Sequence, residues 1–206
     1  YFDALILAIV EGVTEFLPIS STGHLILASK ILHLSQTEFL KSFEIFIQLG
    51  AILAVVLIYA DTIWHDRNLL KKIIVAFLPT AILGLIFYSF VKKYLLGSTL
   101  VTLLALLIGG FLLIIFERWY QVKQAPKLNL SQINFKQAFI VGIAQSLAMV
   151  PGVSRAAATI IGGLGLGLER RAAVKFSFLL AIPTMLAATA LDLFKSGFTF
   201  SGQEFY

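Results

Sequence analysis

Cysteine is absent from all 206 residues, so neither a disulfide framework nor a thiolate metal site is available to this protein. Charge is scarce as well: 13% of residues are Asp, Glu, Lys or Arg, against about 25% in an ordinary soluble domain. Hydrophobic residues make up 59% and the mean hydropathy is +0.93, which places the chain in the membrane class before any motif is read. Acidic charge is the scarcer sign, with 11 Asp and Glu against 16 Lys and Arg for a net charge of +5. In a soluble protein that balance would suggest nucleic acid. In a membrane protein Lys and Arg mark the loops kept on the cytoplasmic side, so no nucleic-acid partner is expected. A cleavable signal peptide is not expected either, because the first apolar run continues into a polar motif instead of a small-residue cleavage site. Tyr1 is not a start methionine, so residues are expected to precede it.

What is present is apolar chain in two kinds of segment. Leu40 to Ala60, Leu69 to Val91, Ser98 to Phe116 and Ala172 to Phe194 each supply the roughly 20 apolar residues that one crossing of a bilayer requires. Two further regions are pairs of shorter runs broken by Pro, Gly and polar residues. The first is Tyr1 to Leu17, "PISSTG", then His24 to Leu34; the second is Phe135 to Val150, "PGVSR", then Ala156 to Leu168. The two also resemble each other. "GVTEFLP" from Gly12 overlays "GIAQSLA" from Gly142, with Glu15 opposite Gln145, and "FEIFIQLGAILA" from Phe43 follows the pattern of "FSFLLAIPTMLA" from Phe176. An internal repeat whose matching members are short and Gly/Pro-interrupted points to a midplane site formed by discontinuous helices.

Charge gives the topology. If each broken region is a hairpin that returns to the side it entered, Arg67, Lys71, Lys72, Arg118, Lys123, Lys127, Lys136, Arg170, Arg171 and Lys175 fall on one face. The other face receives only Lys30, Lys41, Lys92, Lys93 and Lys195, so the richer face is cytoplasmic. The fold expected is an all-α polytopic membrane protein with an inverted-topology repeat, whose two re-entrant helical hairpins meet near the bilayer midplane. It forms a single transmembrane domain over 1–206, with repeat units over about 1–60 and 135–194 joined by helices within 69–116. Irregular backbone at that depth is tolerated only where protein or a water-filled cavity surrounds it, so the tips should line a pocket.

The tips hold the chemistry. Glu11 and Glu15 are four apart and share a helix face, where they repel unless a divalent metal, a shared proton or Arg155 joins them. Pro18 is expected to end the first helix, and "SSTG" to cap a second that begins near His24. A helix N-terminus offers unpaired N–H groups and a positive dipole end, an anion site; taken alone, Ser20, Ser21 and Thr22 would be caps and nothing more. In the second tip Ser154 caps another helix, Arg155 matches phosphate oxygens with its forked donors, and Thr159 lies one turn on. His24 is placed to donate to a phosphate oxygen or to shuttle a proton. Glu44 and Gln48 share a face with Lys41 and read as interfacial pairing, with a supporting place behind the site as the second option. "GGLGLG" from Gly162 does not follow a strand, so it reads as close helix packing and not as a dinucleotide fingerprint.

Together "EGVTEFLPISSTGH" and "PGVSRAAAT" resemble the undecaprenyl-diphosphate phosphatase family, the bacitracin-resistance type of bacterial cytoplasmic membranes, and the likeness extends over nearly the whole chain. Where the family's second motif has Ser and Gly after the arginine, Ala156 and Ala157 stand here, which puts only a role for position 156 in doubt. Family members continue through further apolar helices, so the C-terminal helices of the bundle are expected to be missing from this chain. The resemblance implies hydrolysis of a C55 polyprenyl diphosphate to the monophosphate plus inorganic phosphate, recycling the carrier for cell-wall (peptidoglycan) synthesis. It further implies a multi-pass protein of the inner membrane, a site open to the outer face, a divalent cation such as Mg²⁺ or Ca²⁺, and room for a homo-oligomer. Carried onto this sequence, the acidic, metal-binding pair is Glu11 and Glu15. The catalytic group is Ser21, His24, Glu15 and Arg155. Substrate contacts are Ser20, Thr22, Gly23, Ser154, Arg155 and Thr159. The nucleophile stays open among Ser21, His24 and water. The rival reading is a secondary transporter or lipid flippase using the same midplane site without chemistry.

Overall fold

The computed structural model describes residues 1–35, 37–95, 98–122 and 128–196. Lys123 and Lys127, two of the charges used above, lie outside those residues. Among the described residues nine α-helices follow one another: α1 Phe2–Thr14, α2 Ser21–Ile31, α3 Glu38–Ile58, α4 Ala60–His65, α5 Arg67–Phe90, α6 Thr99–Val122, α7 Phe135–Ser146, α8 Arg155–Gly165 and α9 Arg170–Ser196. A π-helical turn, Val91–Leu95, prolongs α5. Among the described residues the only strand-like pairing is an isolated bridge between Leu128 and Leu168.

Local chemistry sets most helix starts. Side-chain oxygens of Ser20, Thr37, Asp66, Asn134 and Ser154 each accept a hydrogen bond from a backbone N–H in the first turn of the helix that follows. At α7 the cap is reciprocal, because Gln137 reaches back to the Asn134 N–H at 2.9 Å. One boundary differs from the sequence expectation. Helix α1 ends at Thr14, not at Pro18; the Leu17 N–H turns back to the Thr14 carbonyl at 3.2 Å, and residues 15–19 form a tight turn. Glu15 nevertheless keeps helical dihedrals and its N–H reaches the Glu11 carbonyl, so the stacking of the two glutamates survives. The second helix begins at Ser21, one turn before His24, because Ser20 and not a later residue is its cap.

Among the described residues four helices are long and apolar enough to cross a membrane: Phe39–Ile58, Arg67–Leu95, Thr99–Tyr120 and Arg170–Lys195. The paired helices α1, α2, α7 and α8 have 13, 11, 12 and 11 residues. At about 1.5 Å per residue they reach roughly 17–20 Å, short of the roughly 30 Å hydrocarbon layer. Helix α1 packs on α2 and α3, α7 packs on α8 and α5, and α9 contacts α3, α5 and α8. In the second pair the chain comes back to where it entered: Gln137, in the first turn of α7, donates to the Leu166 carbonyl just past α8 at 3.3 Å.

Glycine lets α7 approach α5. A Cβ on Gly142 would lie 2.0 Å from the Ala76 carbonyl oxygen. The expected small-residue packing of the glycine-rich stretch is present too, with Gly162 against Ala144 and Gly163 against Ala173. The charged residues sort to the two ends of the bundle. Lys72 bonds the Ser131 carbonyl, Arg170 pairs with Glu117 at 2.8 Å and Lys175 bonds Thr62 at 2.9 Å, which gathers the starts of α5 and α9 and the end of α6. At the other end Lys92 pairs with Asp192 at 2.6 Å.

Candidate active site

The turn after α1 and the starts of α2 and α8 meet on one carboxylate. Glu15 accepts from Arg155 Nη2 on Oε1 at 2.7 Å and from Ser21 Oγ on Oε2 at 2.5 Å. Ser21 and Arg155 are the first residues of α2 and α8, so Glu15 joins both helix N-termini. The group is inside protein: Glu11 is 1% exposed, Glu15 5%, Ser21 7% and Arg155 8%. Burial at that level is costly for charges unless they are paired and hydrogen-bonded, which the forked guanidinium provides here. Its other arm, Nη1, donates to the Ser177 carbonyl on α9 at 3.1 Å.

Two donor-acceptor capacities remain unused. Both oxygens of Glu11 and the Nε of Arg155 are buried without a hydrogen-bond partner among the described residues. Buried polar atoms of a native protein are almost always satisfied, so the Glu11 carboxylate and Arg155 Nε keep capacity for a further partner. Glu11 lies within reach of the charges of both Glu15 and Arg155. Two stacked carboxylates are hard oxygen donors, the set that suits Mg²⁺ or Ca²⁺. Among the described residues no three His, Cys, Asp or Glu side chains converge. A metal here would therefore take two protein carboxylates at most and complete its shell with water and phosphate oxygen, the habit of Mg²⁺.

The other candidate residues are distributed more unevenly. Ser20 and Ser154 serve as caps, accepting from the N–H of Gly23 at 3.2 Å and of Ala157 at 3.1 Å. Gly23 thus gives its N–H to the cap, while its missing side chain admits Leu106 of α6. Thr159 Oγ1 lies 2.6 Å from Ser177 Oγ and 2.9 Å from the Arg155 carbonyl, within hydrogen-bond reach of both, so it braces the arginine from behind. Thr22 accepts from Gln48 at 3.4 Å. His24 holds its Nδ1 2.8 Å from the Ser20 carbonyl.

Two cavities flank the junction. One, of about 420 Å³, has Arg155, Thr22, Gln48, Gln145 and Thr184 among its walls and extends to Lys41, Tyr88 and Lys92. The second, about 940 Å³ and almost wholly apolar, lies against α6, with His24 and Ser154 beside Leu106, Leu113, Phe116 and Trp119. Glu44, expected to pair with Lys41 or to stand behind the site, is buried with the charge of Lys41 within reach, accepts from Ser29 at 2.8 Å and lines the smaller cavity beside Lys41. Ser177 and the Gln145–Thr80–Thr184 cluster, with bonds of 2.9 and 3.1 Å, were not singled out as site residues. The available signal was a lone polar residue within an otherwise apolar run, "FSFLLAIP" for Ser177.

Known proteins resemble this chain in sequence. An undecaprenyl-diphosphatase of Aquifex aeolicus is 51% identical over 203 residues, covering 98% of this chain and 79% of that protein. Those of Sulfurihydrogenibium sp. and Campylobacter fetus are each 50% identical, over 97% and 95% of this chain and 78% and 76% of theirs. The family described as "Bacitracin resistance protein BacA" matches residues 4–206. With four membrane-crossing helices, a buried Glu–Ser–Arg junction and a match over nearly its full length, this multi-pass membrane protein belongs to the bacitracin resistance protein BacA family.

Proposed function

We propose that this protein is an undecaprenyl-diphosphatase, which cleaves the terminal phosphoanhydride of a C55 polyprenyl diphosphate to give the monophosphate and inorganic phosphate. The observation that carries the reading is the Glu15 junction, which sets a hydroxyl, a base and an arginine at two helix N-termini. Phosphoryl transfer asks chiefly for positioning and for neutralisation of oxygen charge, and these groups supply both. Ser21 Oγ attacks the terminal phosphorus while its proton passes to Glu15 Oε2. The bond from phosphorus to the bridging oxygen breaks, and the electron pair leaves on the lipid monophosphate. Glu15 passes that proton to the departing lipid monophosphate and is ionised again; it then takes a proton from the water that attacks the phosphoserine and returns it to Ser21 Oγ as the bond from phosphorus to Oγ breaks and inorganic phosphate leaves. Arg155 Nε, unpartnered among the described residues, and the first-turn N–H groups of α2 hold phosphate oxygens throughout. The contact of His24 with the Ser20 carbonyl favours Glu15 over His24 as the base. Glu11 and Glu15 would hold a divalent cation, which supplies charge neutralisation on the phosphate oxygens. The isoprenoid chain lies in the apolar cavity beside α6.

The same reading orients the molecule. The end bearing Arg67, Lys71, Arg118 and Arg170 faces the cytoplasm, so the cavity that runs from Arg155 to Lys92 opens to the outer face of the inner membrane. The first pair, α1 and α2, and the second, α7 and α8, are the re-entrant hairpins of an inverted repeat. In support, α3 packs on α9, and each returning helix is tied to the next long helix by a buried hydroxyl, Ser29 to Glu44 and Thr159 to Ser177.

Phosphate release from a polyprenyl diphosphate in detergent, with and without EDTA, tests the function. Wild type should release phosphate, and Ser21→Ala should lose turnover by roughly 10³-fold or more, as removal of an attacking group does. Full turnover by a folded Ser21→Ala would rule out the serine step; no release by folded wild type that binds the lipid would leave transport in its place.

A further inference from the structure

The smaller cavity has a second charged end that the hydrolysis described above does not use. Lys41, in the first turn of α3, and Lys92, in the π-helical turn that ends α5, both line it, with Arg155 at the inner end. Lys92 Nζ donates to Asp192 Oδ1 at 2.6 Å, and Tyr88 Oη donates to the same oxygen at 2.7 Å. Asp192 is buried on α9, and Lys195 lies 4.8 Å over the Tyr88 ring. The charged groups that face this space are therefore Arg155, Lys41, Lys92 and, one turn from Lys41, Glu44, with Asp192 behind Lys92 and Lys195 behind Tyr88. A π turn inside a long helix is uncommon and recurs at functional positions, and here it carries the lysine into the wall.

Taking two charges out of water repays its desolvation cost only partly through their attraction, so a buried pair at a cavity mouth is poor evidence of a role in stability. An ammonium is also a compact point charge on a flexible stem, which can trade one oxyanion for another at similar distance. We infer that Lys92, together with Lys41, forms a second anion site in the outer mouth of this cavity, which takes a phosphate group by drawing Lys92 away from Asp192. The inference rests on the proposed hydrolysis for its source of phosphate: the ligand is either the diphosphate of an arriving lipid or the inorganic phosphate that leaves. Asp192 is then the resident competitor for Lys92, and Tyr88 keeps a donor on Asp192 when the lysine moves.

Binding of inorganic phosphate to the detergent-solubilised protein, without lipid, tests the site directly in wild type, Lys92→Gln, Lys92→Arg and Asp192→Asn. Lys92→Gln should weaken binding roughly tenfold, the equivalent of about 1.4 kcal/mol for one charge-assisted hydrogen bond. Asp192→Asn should tighten it several-fold, and Lys92→Arg should stay near wild type. The opposite signs matter, because a pair that serves only the fold is broken equally from either side. Shifts of the same sign, or both below about twofold, would overturn the inference. Turnover assigns the source: beside the weakened phosphate binding of Lys92→Gln, a raised KM for the lipid marks arrival, and an unchanged KM marks departure. Wild type that binds phosphate with these shifts but releases none from the lipid would sink the hydrolase reading while leaving the anion site in place.

Discussion

Replacing Arg155 by Met while Glu15 stays would leave two carboxylates, Glu11 and Glu15, stacked in a site almost closed to water with no cation beside them. Breaking one side of a buried ion pair costs about 3–5 kcal/mol, because the remaining charge keeps its desolvation penalty. The fork geometry adds to this: loss of Nη1 and Nη2 frees the Ser177 carbonyl and one Glu15 oxygen together. Glu15→Gln should cost less, since the amide oxygen still accepts from Arg155. The double variant removes both charges of the pair and should recover part of the loss, giving a coupling energy of about 2–3 kcal/mol, the upper range for directly bonded residues. Thermal unfolding in detergent, with EDTA present so that no metal substitutes for the arginine, reads these differences. Arg155→Met should lower Tm by roughly 6–20 °C, on the scale of about 2–4 °C per kcal/mol for a chain of this size. Losses that add within about 0.5 kcal/mol would refute the reasoning, for they would mean that the two charges do not hold each other. All three variants should be inactive, which separates the stability of the junction from its chemistry.

Gly142→Ala forces α7 from α5 by placing a methyl carbon 2.0 Å from the Ala76 carbonyl, and backbone cannot yield as a side chain does; overpacking of this kind costs about 3 kcal/mol or more, and size-exclusion chromatography should show little monodisperse protein. Ser20 sits at φ +66°, a region where side chains are strained, and its hydroxyl caps α2. Ser20→Gly should therefore unfold within about 0.5 kcal/mol of wild type, whereas Ser20→Ala should lose about 1 kcal/mol or more. EDTA should abolish phosphate release, and Glu11→Gln should raise the Mg²⁺ or Ca²⁺ concentration for half-maximal turnover roughly tenfold, the loss of one charge-assisted contact; an unchanged metal requirement would remove Glu11 from the cation site.

Much of this architecture could be read from residue order, for reasons specific to particular segments. Four long apolar runs announce four crossings because span length is a direct demand of the bilayer. The pairing of Arg155 with a glutamate followed from cost: few partners are available to a guanidinium at that depth. Glu44 keeps the Lys41 charge within reach, as their spacing of three predicts, whereas its hydrogen bond comes from Ser29, fifteen positions back on a different helix, which no local pattern signals. His24 was placed one turn into the first returning helix, and it lies there, with its Nδ1 2.8 Å from the Ser20 carbonyl one turn back. Lys92 read as one more outer-face lysine; only the π turn, which no residue pattern signals, puts it in a cavity wall.

The two halves of the Glu15–Arg155 junction are 140 residues apart. At about 5–20 residues per second, a ribosome needs roughly 7–28 s to make the chain between them. During that interval the nascent protein carries two glutamates at the tip of its first helical pair without the arginine that will neutralise them, and such a pair cannot settle in hydrocarbon. The first pair must then wait in the interface or in the insertion machinery, and it docks only once α8 has been made. The residue proposed to hold the phosphate thus also times biogenesis, so chains stalled before position 155 should be exposed to quality-control proteases at their N-terminal end, although that end was synthesised first.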